Sequence, residues 1–372
     1  MYQLPVFSRQ ILRCARLGLL GIVLASTSMI AAATPGYTLT TVAEGFDFPW
    51  SIAFLPNGDR LVTELSGNLI RLDANGERGE PITGVPEVFH AGQGGLFDVV
   101  LHPDFASNQL VYLSYAAGDQ DANGTTVARG RLQNNELVSV EVLFSASPQK
   151  YAPLHYGGRL AWHIDGTLLL TTGDGFDFRE KAQDLSTHFG KTIRMQADGS
   201  TADDNPFQQA PYVWTYGHRN PQGLVVTSDG TVYQHEHGPR GGDEVNTLVA
   251  GKNYGWPAIT YGIDYNGAYV SPFTEHESMQ QPDHVWVPSI APCGFMIYEG
   301  DMFPEWRGDL FIGALVDNEV RRIDITDGTF GQEETLFAEL NARIRDIRQA
   351  PDGSIYILTD GAGGKVMRVT RN

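Results

Sequence analysis

Hydrophobic and polar positions alternate along most of this chain in short bursts, and five of the bursts follow one phrase: a turn closed by glycine, then an apolar strand. Pro56-Asn57-Gly58 comes before RLVTE, Ile164-Asp165-Gly166 before TLLLTTGDG, Ser228-Asp229-Gly230 before TVYQHEHG and Pro351-Asp352-Gly353 before SIYILTD. A weaker copy is Trp306-Arg307-Gly308 before DLFIGAL. Glycine tolerates positive φ, so each phrase predicts a tight turn feeding a period-two strand with one face to bury. Such a unit cannot bury that face alone. Further short strands are expected at Val111 to Tyr115, Val127 to Leu132 and Val320 to Ile325, and long amphipathic helices are absent from the pattern. Recurrent strand units without helices predict an all-β radial propeller rather than a sandwich.

The first 33 residues stand apart. Arg9, Arg13 and Arg16 precede an apolar run from Leu17 to Leu24, and small residues end at Ala31-Ala32-Ala33. That order predicts a signal peptide over 1–33, cleaved near Ala33, and hence a periplasmic or secreted protein with no membrane span after removal. The competing reading is an uncleaved N-terminal anchor. Subtracting 33 from 372 leaves 339 residues, 34–372, with no linker to divide them. At about 50 to 60 residues per four-stranded antiparallel blade they give a single domain of about six blades.

Charge and cysteine usage narrow the function. Without residues 1–33 the chain keeps 23 basic residues against 44 acidic ones, a net of −21. Such a surface attracts neither nucleic acid nor an anionic membrane. Cys14 falls in the leader, so Cys293 has no partner for an intrachain disulfide and reads as a small buried residue.

Blade connections converge at one mouth of a propeller, so functional residues should be scattered in sequence and close in space. Four polar segments qualify. In AGQGGL, followed by HPDF, glycines flank Gln93 and would let a ligand approach its amide. In LHYGGRL, ahead of TTGDG, His155 near Asp174 has the make-up of a general base with an orienting acid. In GHRNPQGL, Arg219 offers a fixed fork of donors to an anionic oxygen, beside Asn220 and Gln222. In HEHGPRGGDE, then NYGWP, the His235-x-His237 pair could suggest zinc, but no third ligand follows at a recognised spacing. The acidic, glycine-rich loop suits calcium better, through carboxylate and main-chain oxygens.

Taken in order, GQGGL, HPDF, HYGGRL, TTGDG, GHRNPQGL, EHGPRGGDE, NYGWP and RIRDIRQAPDG resemble the soluble pyrroloquinoline-quinone-dependent glucose and aldose sugar dehydrogenases, from about Phe48 to Thr359. The resemblance implies a six-bladed propeller holding pyrroloquinoline quinone (PQQ) and Ca2+, oxidising an aldose at C1 to its lactone and passing electrons to an external acceptor. It implies His155 as the base, Arg219 as the group polarising the quinone carbonyl, and Gln93, Asn220, Gln222 and His237, with His155 and Arg219 themselves, as cofactor contacts. Arg343 and Arg345 match the pair facing the cofactor's carboxylates; read from the residues alone they are alternating arginines on a strand edge. Gly238 and Pro239 match main-chain ligands of the cofactor-side calcium, while Glu244 and the Tyr254 carbonyl match a calcium site that braces the loop. The chain departs from the family pattern twice: Leu315-Val316-Asp317 supplies no lysine on the far side of the cofactor, and Leu154 stands where an acid would precede the base. Asp174 is then expected to orient His155. A calcium-dependent lactonase and a non-enzymatic binding propeller are the rival readings, and the sequence leaves monomer or homodimer open.

Overall fold

The computed structural model describes residues 35–372, so the expected signal peptide lies outside the described residues. Each of the five glycine-closed turns joins the first two strands of a blade, with φ of 90°, 85°, 90°, 91° and 81° at Gly58, Gly166, Gly230, Gly308 and Gly353. Those left-handed values keep the turns short enough for the strands to pair directly.

Six four-stranded antiparallel sheets result. The first blade runs Pro49–Phe54, Arg60–Glu64, Leu69–Leu72 and Arg78–Pro81; the second Leu96–Leu101, Leu110–Gly118, Asn123–Gln133 and Glu136–Ser145. The third is Gly157–Trp162, Leu168–Thr172, Lys191–Met195 and Val213–Tyr216, and the fourth Pro221–Val226, Val232–Glu236, Asp243–Leu248 and His284–Trp286. The fifth is Pro292–Ile297, Leu310–Ala314, Val320–Thr326 and Thr329–Leu336. The sixth takes Ile344–Gln349, Ile355–Thr359 and Ala362–Arg371 from the end of the chain and Tyr37–Asp47 from its beginning, with Tyr37 opposite Arg371. The second blade lacks the glycine phrase because its first turn is a helical one, Phe105–Asn108, closed by Gln109 at φ 56°.

The first strand of each blade touches the first strand of the next, and that of the sixth returns to that of the first, which closes the ring. Apolar faces meet between blades. Leu61 and Leu69 pack with Leu96, Val99 and Leu113 across the first junction, and Phe311 and Val320 with Ile347 and Ile357 across the fifth. Each such side chain contributes about 1.5–3 kcal/mol through burial. Polar side chains fill the axis. Arg159 pairs with Asp346 at 2.8 Å, Arg348 bridges Asp346 at 3.0 Å and Asp98 at 3.1 Å, and the Ser51 hydroxyl donates to Asp98 at 2.5 Å. Arg159 also lies 4.0 Å from the Trp50 ring centroid.

Antiparallel order sorts the connections. Turns between first and second strands lie at one end of the ring; links between second and third strands, and between blades, lie at the other. Gln93, His155, Asp174, Arg219, His237 and Arg343 all sit at that second end, whereas the HPDF stretch lies at the first. Among the described residues no helix is long and apolar enough to cross a membrane.

Candidate active site

The link from the second blade to the third carries His155 in a left-handed conformation, φ 50°, with its backbone N–H donated to the Gln93 side-chain oxygen at 2.7 Å. The turn after Thr172 brings Asp174 to it, and His155 Nδ1 lies 2.7 Å from Asp174 Oδ1. A carboxylate only accepts, so Nδ1 carries the proton and Nε2 keeps its lone pair. Asp174 is held in turn by the Phe176 N–H on Oδ1 at 2.8 Å and the Trp256 indole N–H on Oδ2 at 2.8 Å. Burial pushes the His155 pKa down, the Arg219 and Lys150 charges add to that, and Asp174 opposes them; the imidazole is below its ordinary 6.5. Leu154 therefore leaves no gap in the orientation of the ring, because the acid comes from across the loop.

Arg219 stands at the start of the fourth blade. Its Nη1 donates to the His237 carbonyl at 3.0 Å and the Gly238 carbonyl at 2.6 Å, and its Nη2 to the Tyr265 hydroxyl at 3.3 Å. The guanidinium lies 5.3 Å from the Trp256 ring centroid. Glu236 fixes the neighbouring backbone by accepting from the Arg219 N–H, and it also meets His218 Nδ1 at 2.9 Å.

The mouth is divided into adjoining hollows. One, of about 310 Å³, is lined by Gln93, Asn220, Gln222, His237, Arg343, Arg345 and Asp360, with Phe48, Trp50 and Tyr156 supplying aromatic surface. A second, of about 230 Å³, holds His155, Asp174, Arg219, Pro239, Phe176, Trp256 and Tyr265. The predicted catalytic and cofactor residues thus split between two hollows, not one, but along the chain Tyr156 and Asn220 of the first directly follow His155 and Arg219 of the second. A third, more apolar hollow shares His237 with the first and Pro239 and Tyr265 with the second.

Arg343 is exposed just ahead of the strand Ile344–Gln349, which is the edge of its sheet, whereas Arg345 within that strand is largely covered. Both hold Asp360, at 2.9 Å and 3.0 Å, and Arg343 also donates to the Leu315 carbonyl at 3.0 Å. Leu315 lines the first hollow where a lysine was missed, and Asp317 pairs with Arg321 at 2.6 Å. Cys293 is buried as expected and accepts from Arg345 at 3.3 Å and Arg159 at 3.6 Å.

His235 Nε2 meets the Gly294 carbonyl at 3.0 Å and His237 Nε2 the Pro292 carbonyl at 2.8 Å, so both rings are protonated there and spent as donors. Burial lowers each to about 3. Among the described residues no three His, Cys, Asp or Glu side chains cluster as a metal site, so zinc finds no ligand set. Glu244, Glu236, Gly238 and Tyr254 instead line a small hollow of about 10 Å³, room for about one water-sized species. Desolvation, then the Glu236 charge, push the Glu244 pKa well above the usual carboxylate range. A pair of desolvated acids with main-chain oxygens nearby is the donor set of a hard cation.

Trp50, Trp256, Tyr265 and Asp360 were not singled out from sequence. Trp256 was within reach, because it belongs to NYGWP. Tyr265 lies in a long connection without periodicity, between Leu248 and His284, whose Asn253–Trp256 stretch returns along the third blade: the Tyr254 and Trp256 N–H groups bond the Tyr216 and Gly217 carbonyls at 2.8 and 2.9 Å.

A family profile described as Glucose / Sorbosone dehydrogenase matches residues 46–368. The chain is 38% identical over 356 residues to the aldose sugar dehydrogenase YliI of Escherichia coli, covering 92% of this chain and 95% of that protein. The crystal structure of the soluble aldose sugar dehydrogenase from Escherichia coli in its apo form superposes with a TM-score of 0.87 at 37% identity, over 90% of this chain and 100% of that one. The PQQ-bound aldose sugar dehydrogenase of Streptomyces coelicolor does so at 0.76 and 26%, over 91% and 100%.

Proposed function

Because this chain belongs to the glucose/sorbosone dehydrogenase family, we propose that it oxidises aldose sugars at C1 to the lactone, using bound pyrroloquinoline quinone and calcium and an external electron acceptor. One observation carries the reading: an imidazole with a free Nε2 and a fixed partner adjoins a hollow lined by two arginines.

The first hollow suits an anionic, planar cofactor. Arg343 and Arg345 share a single acid, Asp360, so one positive charge is left over for the ligand, and the Trp50 ring and the Gln93, Asn220 and Gln222 amides supply stacking and hydrogen bonds. His237, held neutral, adds polar surface without charge. Glu244 and the Tyr254 carbonyl would hold one calcium ion, relieving the repulsion between Glu236 and Glu244. Gly238 and Pro239 would hold another through main-chain oxygens, and at Gly238 it would share the carbonyl with Arg219. Bound in this way, the quinone would supply the acceptor for the hydride from C1.

The residues of the chain do the rest. His155 Nε2 takes the proton of the C1 hydroxyl, without which that hydroxyl is a poor hydride donor. Asp174 keeps Nδ1 protonated and steadies the imidazolium that forms. Arg219, in the second hollow beside His155, stabilises negative charge that develops on an oxygen beside it. Phe176, Trp256 and Tyr265 border the space for the sugar. The basic and apolar order of residues 1–33 supports action outside the cytoplasm.

The test is a titration of the purified chain with PQQ and calcium, followed by dye reduction with a panel of aldoses. Reduction that depends on both additions supports the proposal. Lactone hydrolysis without quinone, and no dye reduction with it, rejects it.

A further inference from the structure

Lys150 is a buried cation that the chemistry above leaves unused. It is 4% exposed. Its backbone exchanges hydrogen bonds with Asn123 in the third strand of the second blade, at 2.7 and 2.8 Å. The ammonium donates to the Asn123 side-chain oxygen at 3.2 Å and to the Ala152 carbonyl, and it sits 3.5 Å from the centroid of the Tyr156 ring. The Tyr156 hydroxyl donates to the same Asn123 oxygen at 2.6 Å. Among the described residues its hydrogen-bond partners are thus all neutral.

Burying an ammonium without a bonded anion is costly, several kcal/mol per ion, and a methionine would fill the space without that cost. The position explains what the charge can do. Ala152 and Tyr156 bracket His155 in sequence, so the ammonium grips its loop on both sides. The lysine stem also runs along the backbone just after Asp174, since a β-carbon on Gly175 would lie 2.8 Å from Lys150 Cδ. The side chain therefore borders both members of the His155–Asp174 pair.

We propose that Lys150 is a positioning residue for the candidate base: its ammonium fixes the loop that carries His155 and opposes a second positive charge on the imidazole. The inference rests on the reading of His155 as a base. The charged groups that face the imidazole are Asp174, which favours protonation, and Arg219 and Lys150, which disfavour it. His237 also feels its charge, and Asp177, Arg179 and Asp264 line the same hollow. Arg219 faces the imidazole from across the hollow that they share; Lys150 acts from within the loop itself. Burial lowers the lysine to about 7, so it is charged below neutrality, the range in which an ordinary imidazole would take up a proton. The base stays free further into acid than it would beside a neutral side chain.

The test follows the His155 ring proton by NMR through a pH titration of the full chain, assigned by its disappearance in His155→Ala. In Lys150→Met the midpoint is expected to rise by roughly half a pH unit or more, the direction set by removal of a like charge, while Lys150→Arg stays near the parent value. Asn123→Asp, nearly the same shape, gives the ammonium an anionic partner and raises the midpoint too, which covers the case of a poorly folded Lys150→Met. Midpoints that do not move in either variant overturn the proposal, even if activity falls, because a purely structural lysine predicts that result. A raised midpoint in a chain that oxidises no sugar leaves this inference standing and removes the dehydrogenase reading instead.

Discussion

Trp256 and His155 hold opposite oxygens of one carboxylate: the indole N–H donates to Asp174 Oδ2 at 2.8 Å, and the imidazole lies at 2.7 Å from Oδ1. The connection that supplies Trp256 belongs to the fourth blade, so the ring orientation of a residue between the second and third blades depends on a loop from beyond both. Trp256→Phe keeps the aromatic surface and removes the donor. An unsatisfied buried acceptor costs about 1–3 kcal/mol, so a fall in kcat of about tenfold is expected, with quinone affinity unchanged. Steady-state kinetics beside a quinone titration checks the split.

His155→Ala removes the proton acceptor itself. Turnover should fall by about 10² to 10⁴, the usual worth of general acid-base catalysis, while quinone binding survives. Unchanged turnover would take the base role away from His155.

Arg343 is the more exposed of the two arginines on Asp360 and the easier to remove without disturbing the axis. Arg343→Gln should weaken quinone binding by about tenfold or more, since a hydrogen bond to a charged group is worth about 1.5–3 kcal/mol. Equilibrium dialysis of PQQ is the measurement; an unaltered dissociation constant places the cofactor elsewhere.

Glu244→Gln separates the calcium reading from a merely acidic loop. In the parent protein calcium should raise the melting temperature, as any ligand of the folded state does, by about 2.7 kcal/mol of stability at a hundred times its dissociation constant. The variant should lose most of that rise. Without calcium it should be no less stable than the parent, because Glu236 no longer faces a second charge.

Acid should unfold the protein partly through its histidines. His235 and His237 are neutral in the fold down to about 3, whereas an unfolded imidazole takes its proton near 6.5. Between those values the unfolded chain binds more protons, so stability is full above about 6.5 and is lost as the pH falls toward 3. His235→Gln should flatten the decline in melting temperature over that window; an identical slope would assign the loss to carboxylates.

Much of this was legible in the residues. The glycine-closed phrase marks the first hairpin of five blades because only glycine takes φ near 90° there without strain, and the copy missing from the second blade is missing because a helical turn does the same work at Phe105–Asn108. Arg219 stands out in sequence because it sits in a dense polar cluster on a short link, and Gln93 and His155 because they lie on glycine-rich blade connections, whereas Arg343 is marked only by the family resemblance. Tyr265 could not be found, since nothing in the connection from Val249 to Asp283 encodes where it folds back. Lys150 was equally silent: its role depends on burial against Tyr156 and Asn123, which no local pattern reports.

The bolt of Arg159, Asp346, Arg348 and Asp98 ties the first strands of the second, third and sixth blades to one another. A shift of any one of those blades would part buried opposite charges on another, so the loops that the three strands carry share one electrostatic anchor.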